Sequence, residues 1–252
     1  MSAFDANTWI GRWPFAFLTE HSPRTLMAHL RDRGIDRAVV SPLDAVFAPE
    51  PGAANRALLR STRLFPELVP VPVINPVLAN WRDELEVCTR DQRVRLVRVL
   101  PSYHGISLGS RPMAELVLEL RQRGVRLAIQ VRLIDERHEH HALRIKPVSM
   151  RDLSRLLAAH PEGPLLVSGL LRSEVITLAP QHAHLLADLS FAEWHDTVQH
   201  LLAKVRLEQL VFASHTPFLV TAAANAKIVS SGLKGSRLAS LSHRNLERFL
   251  QP

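Results

Sequence analysis

Eight short apolar segments, separated by stretches of helical period, constrain this chain more than any other feature. They are 3–7, 37–41, 69–75, 95–100, 126–133, 164–169, 185–190 and 209–214. Between them apolar residues recur every three to four positions, over 23–33, 53–65, 80–91, 112–123, 149–159 and 193–205, with Gly34 and Gly124 as stops. A last helix is expected over 242–250, while 180–184 and 219–234 give no clear period. Strand and helix alternating eight times predict a parallel sheet. With right-handed crossovers and 252 residues, that predicts one (β/α)8 TIM-type barrel, a single domain over 1–252. An open doubly wound sheet would carry a Gly-rich phosphate turn after its first strand. Here Thr8-Trp9-Ile10-Gly11-Arg12-Trp13 follows instead, and no repeat or linker divides the chain.

Composition narrows the function classes. The 46% hydrophobic content suffices for a large core, and the lone cysteine, Cys88, excludes an internal disulfide and a Cys-rich zinc site. A reducing cytoplasm is the expected compartment. Residues 1–15 lack the basic and apolar regions of a signal peptide, and no run of roughly 18 apolar residues suggests a membrane span. The net charge of +7 comes from arginines interleaved with acids, so a nucleic-acid site is not expected. An anionic small molecule at the barrel mouth fits the charge equally well. A homo-oligomer is compatible with the sequence.

In such a barrel the chemistry sits where strands end, at the C-terminal mouth. Strand one carries Asp5 and Asn7 on one face, and the last strand ends in Ser214-His215-Thr216-Pro217. First and last strands are barrel neighbours, so Asp5 and His215 are expected in direct contact, on the order of 3 Å. Alternation along strand five aims Ala128, Gln130 and Arg132 inward. Arg132 there needs a carboxylate or a bound anion, and Asp5 is a candidate partner. Tyr103 and His104 fall on a mouth loop. The densest titratable cluster is Asp135-Glu136-Arg137-His138-Glu139-His140-His141. Asn75, Asp188 and Ser190 end strands and are read as capping or loop-bonding groups. The aromatics Trp9, Trp13, Phe15 and Phe17 form either a lid or a packing contact.

These motifs in this order resemble the amidohydrolase-related ("amidohydrolase 2") family of the metal-dependent hydrolase superfamily. The likeness rests on strand one, Asn75-Pro76, Pro101-x-Tyr103-His104-Gly105, Phe212-x-Ser214-x-x-Pro217-Phe218 and Asn245-Leu246-Glu247-Arg248-Phe249-Leu250. It implies a (β/α)8 barrel that hydrolyses amides, esters or lactones, or decarboxylates acids, with one or two divalent metals. The family's ligand positions carry over as Asp5-x-Asn7 for a His-x-His pair, Gln130 or Arg132 on strand five, no His in 165–169, and His215 for an Asp. Zinc prefers imidazole, which these exchanges remove, and Arg132 would repel a dication. The usual metal centre is therefore expected to be absent. If zinc or manganese is held, Asp5, His104 and His215 are its ligands, or Asp5 and His215 with the His138/His140/His141 loop.

The leading expectation is hydrolysis of a small anionic amide, ester or lactone without the metal. His215 or His104 would be the base, Asp5 or Asp135 would orient it, and Arg132 or Arg137 would hold the anion. Asn7, Tyr103 and His140 would complete the substrate site. The alternatives are an inactive barrel that binds a ligand or acts as a scaffold, and a divergent metal-dependent hydrolase or decarboxylase. An aromatic plug over the mouth would favour the inactive barrel.

Overall fold

The computed structural model describes residues 2–135, 137, 139–140 and 143–251. Its parallel strands are β1 (Phe4–Ile10), β2 (Arg37–Pro42), β3 (Leu68–Pro70), β4 (Leu96–Val99), β5 (Arg126–Gln130), β6 (Leu165–Ser168), β7 (Leu185–Asp188) and β8 (Leu210–Val211). They pair as β1-β2-β3 and as β4 through β8. Backbone hydrogen bonds join the two runs at both seams. Arg98 N donates to Pro72 O at 2.8 Å and Ile74 N to Arg98 O at 2.9 Å; at the other seam Ala6 N donates to Phe212 O at 3.0 Å and Trp9 N to Thr216 O at 2.9 Å. Strands three and eight are shorter than expected; in the third, Pro70 and Pro72 lack the N–H that would extend the ladder.

The helices are α1 (Pro23–Arg31), α2 (Gly52–Ser61), α3 (Trp81–Thr89), α4 (Pro101–His104), α5 (Arg111–Gln122), α6 (Met150–Ala159), α7 (Arg172–Leu178), α8 (Thr197–Leu202), α9 (Thr221–Val229), α10 (Gly235–Ala239) and α11 (Asn245–Leu250). Amphipathic faces bring them onto the sheet. In α1, capped by Ser22, the buried residues are Pro23, Leu26, Met27 and Leu30. The segment 219–234, silent in the sequence, forms α9. No described helix is long and apolar enough to cross a membrane.

The barrel interior is layered. At the N-terminal end Phe4, Ala6, Val39, Val71, Leu96, Ala128, Leu166, Leu186 and Val211 make an apolar floor, closed by Leu246 and Phe249 of α11. At the mouth Trp9, Leu43, Ala45, Val46, Val73, Leu100 and Leu133 form a second apolar layer. Strand alternation puts a polar layer between them: Asn7, Ser41, Arg98, Gln130, Ser168 and Asp188, all buried. A bulge in β1 makes this layering possible. Asp5 pairs with Ala38 and Thr8 with Val40, so β1 advances three residues against two on β2. The bulge switches the inward face from Phe4 and Ala6 to Asn7 and Trp9. Asp5 and Asn7 therefore do not share a face as expected.

Candidate functional site

Asn7 is the hub of the polar layer. Its Nδ2 donates to Asp188 Oδ2 at 3.0 Å and lies 2.9 Å from His215 Nδ1. Its Oδ1 accepts from Trp9 Nε1 at 3.0 Å and from Arg98 Nη1 at 2.6 Å. Both amide protons and both oxygen lone pairs are thus engaged. Arg98 Nη1 also donates to Gln130 Oε1 at 2.6 Å, and its guanidinium lies 4.5 Å from the Trp9 ring centre. Gln130 Nε2 donates to Arg132 O at 2.7 Å. Asp188 Oδ1 accepts from Ser190 Oγ at 2.5 Å and Ser190 N at 3.1 Å, a loop-bonding role as its sequence position suggested. Burial pushes the Arg98 guanidinium down to about 10, held up by Asp188 and Asp5, so it stays charged at neutral pH.

His215 follows β8, four residues past its end, with φ of 58°, a left-handed conformation unusual outside glycine. Its Nε2 donates to Leu133 O at 2.6 Å, which leaves Nδ1 to accept from Asn7. Neither ring nitrogen is free to take a proton from water. Phe191 and Phe218 pack on the ring, at 5.1 and 5.5 Å between centroids, and the residue has no exposed surface.

The expected Asp5–His215 contact does not form. Asp5 Oδ1 instead accepts from Asn7 N and Ser214 N, each at 3.0 Å, fastening the β1–β8 seam, while Oδ2 has no hydrogen-bond partner. Asn7, not Asp5 or Asp135, orients His215. Arg132 does not pair with Asp5 either. Its Nη1 and Nη2 meet Glu174 at 2.7 and 2.8 Å, and Nη1 also donates to Gly169 O. A Cβ at Gly169, where φ is 83°, would lie 2.6 Å from Arg132 O, so the approach requires glycine. His104, on α4, donates Nε2 to Ala45 O at 3.0 Å and stands apart from His215; burial lowers its pKa.

Asp5 and His215 titrate in opposite senses. Burial raises Asp5 from 3.8 to about 7, against hydrogen bonds from Ser214 and Asn7, and lowers His215 from 6.5 to about 4. The folded form holds the Asp5 proton more tightly than the unfolded chain. The resulting stability is full below pH 3.8 and lost as pH rises to about 7. The His215 contribution is full above pH 6.5 and lost as pH falls to about 4. The two slopes oppose each other between about pH 4 and 6.5. Urea denaturation across that window should therefore separate them. Relative to wild type, Asp5→Asn should become more stable with rising pH, and His215→Gln less stable. An Asp5→Asn profile parallel to wild type would show that Asp5 keeps no proton.

Above the apolar layer, the mouth holds a pocket of about 600 Å³ walled by the rings of Trp13, Phe15, Tyr103 and Phe218. Asp135, Glu139 and His140 line its rim, and the His140 ring lies 5.0 Å from Phe15. Phe218, which packs on the His215 ring, also lines this pocket, where it meets Trp13 at 5.1 Å. Of the expected catalytic residues, Asp135 alone lines the pocket; of the substrate residues, Tyr103 and His140 do. Asp135 accepts Arg137 N and Nε at 2.9 Å and Nη2 at 2.6 Å. A second recess of about 300 Å³ shares Asp135 and Leu219 with the first and carries Arg137, Arg172 and Trp194. Another, of about 340 Å³, opens near the start of β6 at the other end of the barrel, away from every candidate residue.

The donor set does not fit a divalent ion. Among the described residues no group of three or more His, Cys, Asp or Glu is placed to hold one. Asp5, His104 and His215 do not converge, and Asn7 and Gln130 already accept from a guanidinium. Of the loop alternative, His138 and His141 lie outside the described residues. Sequence reasoning missed Arg98, Glu174 and the inward role of Trp9. The signal for Arg98 was available, since it shares strand parity with Leu96 and Leu100.

No family model matches the sequence, and no curated protein matches it. Solved structures do match over nearly the whole chain. A putative amidohydrolase from Staphylococcus aureus has a TM-score of 0.75 at 10% identity, covering 99% of both chains. The 5-carboxyvanillate decarboxylase of Sphingomonas paucimobilis gives 0.74 at 12%, over 99% of this chain and 98% of that one. The manganese-bound 5-carboxyvanillate decarboxylase of Novosphingobium aromaticivorans gives 0.75 at 11%, over 98% and 96%. The chain is a (β/α)8 barrel. At these identities the likeness concerns the fold, and the barrels that share it include amidohydrolase-type hydrolases and decarboxylases.

Proposed function

We propose that the mouth pocket binds a small, ring-bearing organic acid without a metal centre, as a ligand-binding amidohydrolase-like barrel. The observation that carries this reading is the closure of the polar layer. Asn7 spends all its hydrogen bonds inside the protein, both His215 nitrogens are engaged, and an apolar layer covers them. His215 and Asp5, expected to hydrolyse a substrate as base and orienting acid, are thereby withdrawn from the mouth, and of the expected catalytic residues Asp135 alone remains on its lining. What the mouth offers is aromatic wall, which favours a ring at 4.5–7 Å between centroids. Arg132 is committed to Glu174 and Arg137 to Asp135, so a carboxylate on the ligand would reach Arg172 in the adjoining recess. Solved relatives named as decarboxylases of 5-carboxyvanillate and 2,6-dihydroxybenzoate act on ligands of this shape.

Calorimetric titration with a panel of hydroxybenzoates, their amides and aromatic lactones tests the proposal. Acids should bind, and Trp13→Ala should weaken them at least tenfold, about 1.4 kcal/mol. Arg172→Ala should weaken the acids more than their amides. No binding by any ring-bearing acid at millimolar concentration would end the reading. A second reading, metal-independent hydrolysis or decarboxylation, draws on Asp135, Glu139 and His140 sharing the pocket rim with Tyr103. It requires turnover that persists in EDTA and falls about a hundredfold or more in Asp135→Asn.

A further inference from the structure

We propose that Arg98 is the resident cation of this barrel, its guanidinium standing between strand one and strand five where a metal ion would otherwise stand. This deepens the metal-free reading above. By the resemblance, two of the family's ligand positions fall on Asn7 and on Gln130 or Arg132. Here the side-chain oxygens at both positions, Asn7 Oδ1 and Gln130 Oε1, turn toward a single nitrogen, Arg98 Nη1, at 2.6 Å each. One positive centre thus bridges two strands, as a coordinated ion does, and the Trp9 ring covers it at 4.5 Å. Asp188, which accepts from the same Asn7 Nδ2, supplies compensating negative charge.

The rest of the guanidinium says what the layer accepts. Arg98 Nε and Nη2 have no hydrogen-bond partner, and neither do Ser41 Oγ and Ser168 Oγ on strands of the same barrel. Buried donors and hydroxyls left this way bind water. The Nε–Nη2 edge carries donors only, so it takes a water oxygen and repels a dication. The barrel centre is therefore assigned an arginine with internal water, and the ring-lined mouth above it works without exchangeable metal.

The test uses the whole, untagged protein. Metal analysis after growth with manganese and zinc should find less than about a tenth of an equivalent of either, against one for a structural or catalytic site. Crystals soaked in manganese chloride should show light-atom density on Arg98 Nε and Nη2. An anomalous peak between Asn7 and Gln130, or a stoichiometric ion removed by chelation, would overturn the proposal. Arg98→Gln sharpens it: manganese should leave the wild-type melting temperature unchanged and raise that of the variant. A folded variant without that rise would show that the guanidinium is not what excludes the ion, and if the variant does not fold, the wild-type measurements decide. Failure of the mouth pocket to bind ring-bearing acids leaves these outcomes untouched, so the two readings fail separately.

Discussion

Replacing Asn7 by Ala should destabilise the fold by about 3–5 kcal/mol, a large fraction of the roughly 5–15 kcal/mol that holds a domain together. The amide makes four hydrogen bonds inside a buried layer. Its loss strands the Trp9 indole N–H, one Asp188 oxygen and the His215 Nδ1, and leaves Arg98 with Gln130 alone. An unsatisfied buried group costs about 1–3 kcal/mol, more when charged. Water entering the space left by the side chain recovers part, so the sum is not additive. Asn7→Asp is the informative companion. It can still accept from Trp9 and Arg98, but it has no donor for Asp188 and brings a second carboxylate beside it. That variant should grow less stable as pH rises, whereas Asn7→Ala should not show the added slope. Urea unfolding reads both. A loss below about 1 kcal/mol for Asn7→Ala would mean the hub is not what holds the layer.

Glu174→Ala should cost about 3 kcal/mol, because it leaves the Arg132 guanidinium buried without its carboxylate. The pair is bidentate, and Glu174 Oε2 also accepts from Leu171 N at 2.7 Å, tying the start of α7 to the end of β5. The Glu174 side chain is 17% exposed against 7% for Arg132, so water reaches one side and the loss sits at the low end for a buried pair. Removing both charges in Arg132→Met/Glu174→Leu should recover most of the stability, since the desolvation cost leaves with them. The double-mutant cycle isolates the pairing energy. If Glu174→Ala unfolds within about 0.5 kcal/mol of wild type, the pair contributes nothing beyond its neighbours.

The barrel was legible because its signals are local. Alternation in 95–100 and 126–133, and helical period with glycine stops in 23–33 and 112–123, depend on residues a few positions apart. The short strands three and eight were harder, since prolines leave the third few ladder bonds and the seams close through single bridges. The candidate site was legible as a set of polar strand ends and not as a set of contacts. Asp5, Asn7, Gln130, Arg132 and His215 are all buried; Gln130 ends β5, and Arg132 and His215 lie just beyond the ends of β5 and β8, whereas Asp5 stands near the start of β1 and Asn7 in its middle. Their partners are different from those expected, for reasons no local pattern carries. Arg132 found Glu174, 42 residues along the chain, and His215 found Leu133 O, 82 residues away.

The alternation of strand and helix periods by itself determined a parallel barrel, with polar residues at strand ends gathered toward one mouth. Tertiary structure decided which polar groups meet. The bulge between Asp5 and Thr8 turns Asn7 into the barrel axis and leaves Asp5 at the seam. Closure of the ring then brings Arg98, 91 residues away, onto the same amide. A one-residue shift of register exchanges the two faces of a strand, so a single bulge outweighs any reading of periodicity. A buried guanidinium, costly alone, persists only where several strands supply acceptors together, and that convergence exists only in the closed barrel.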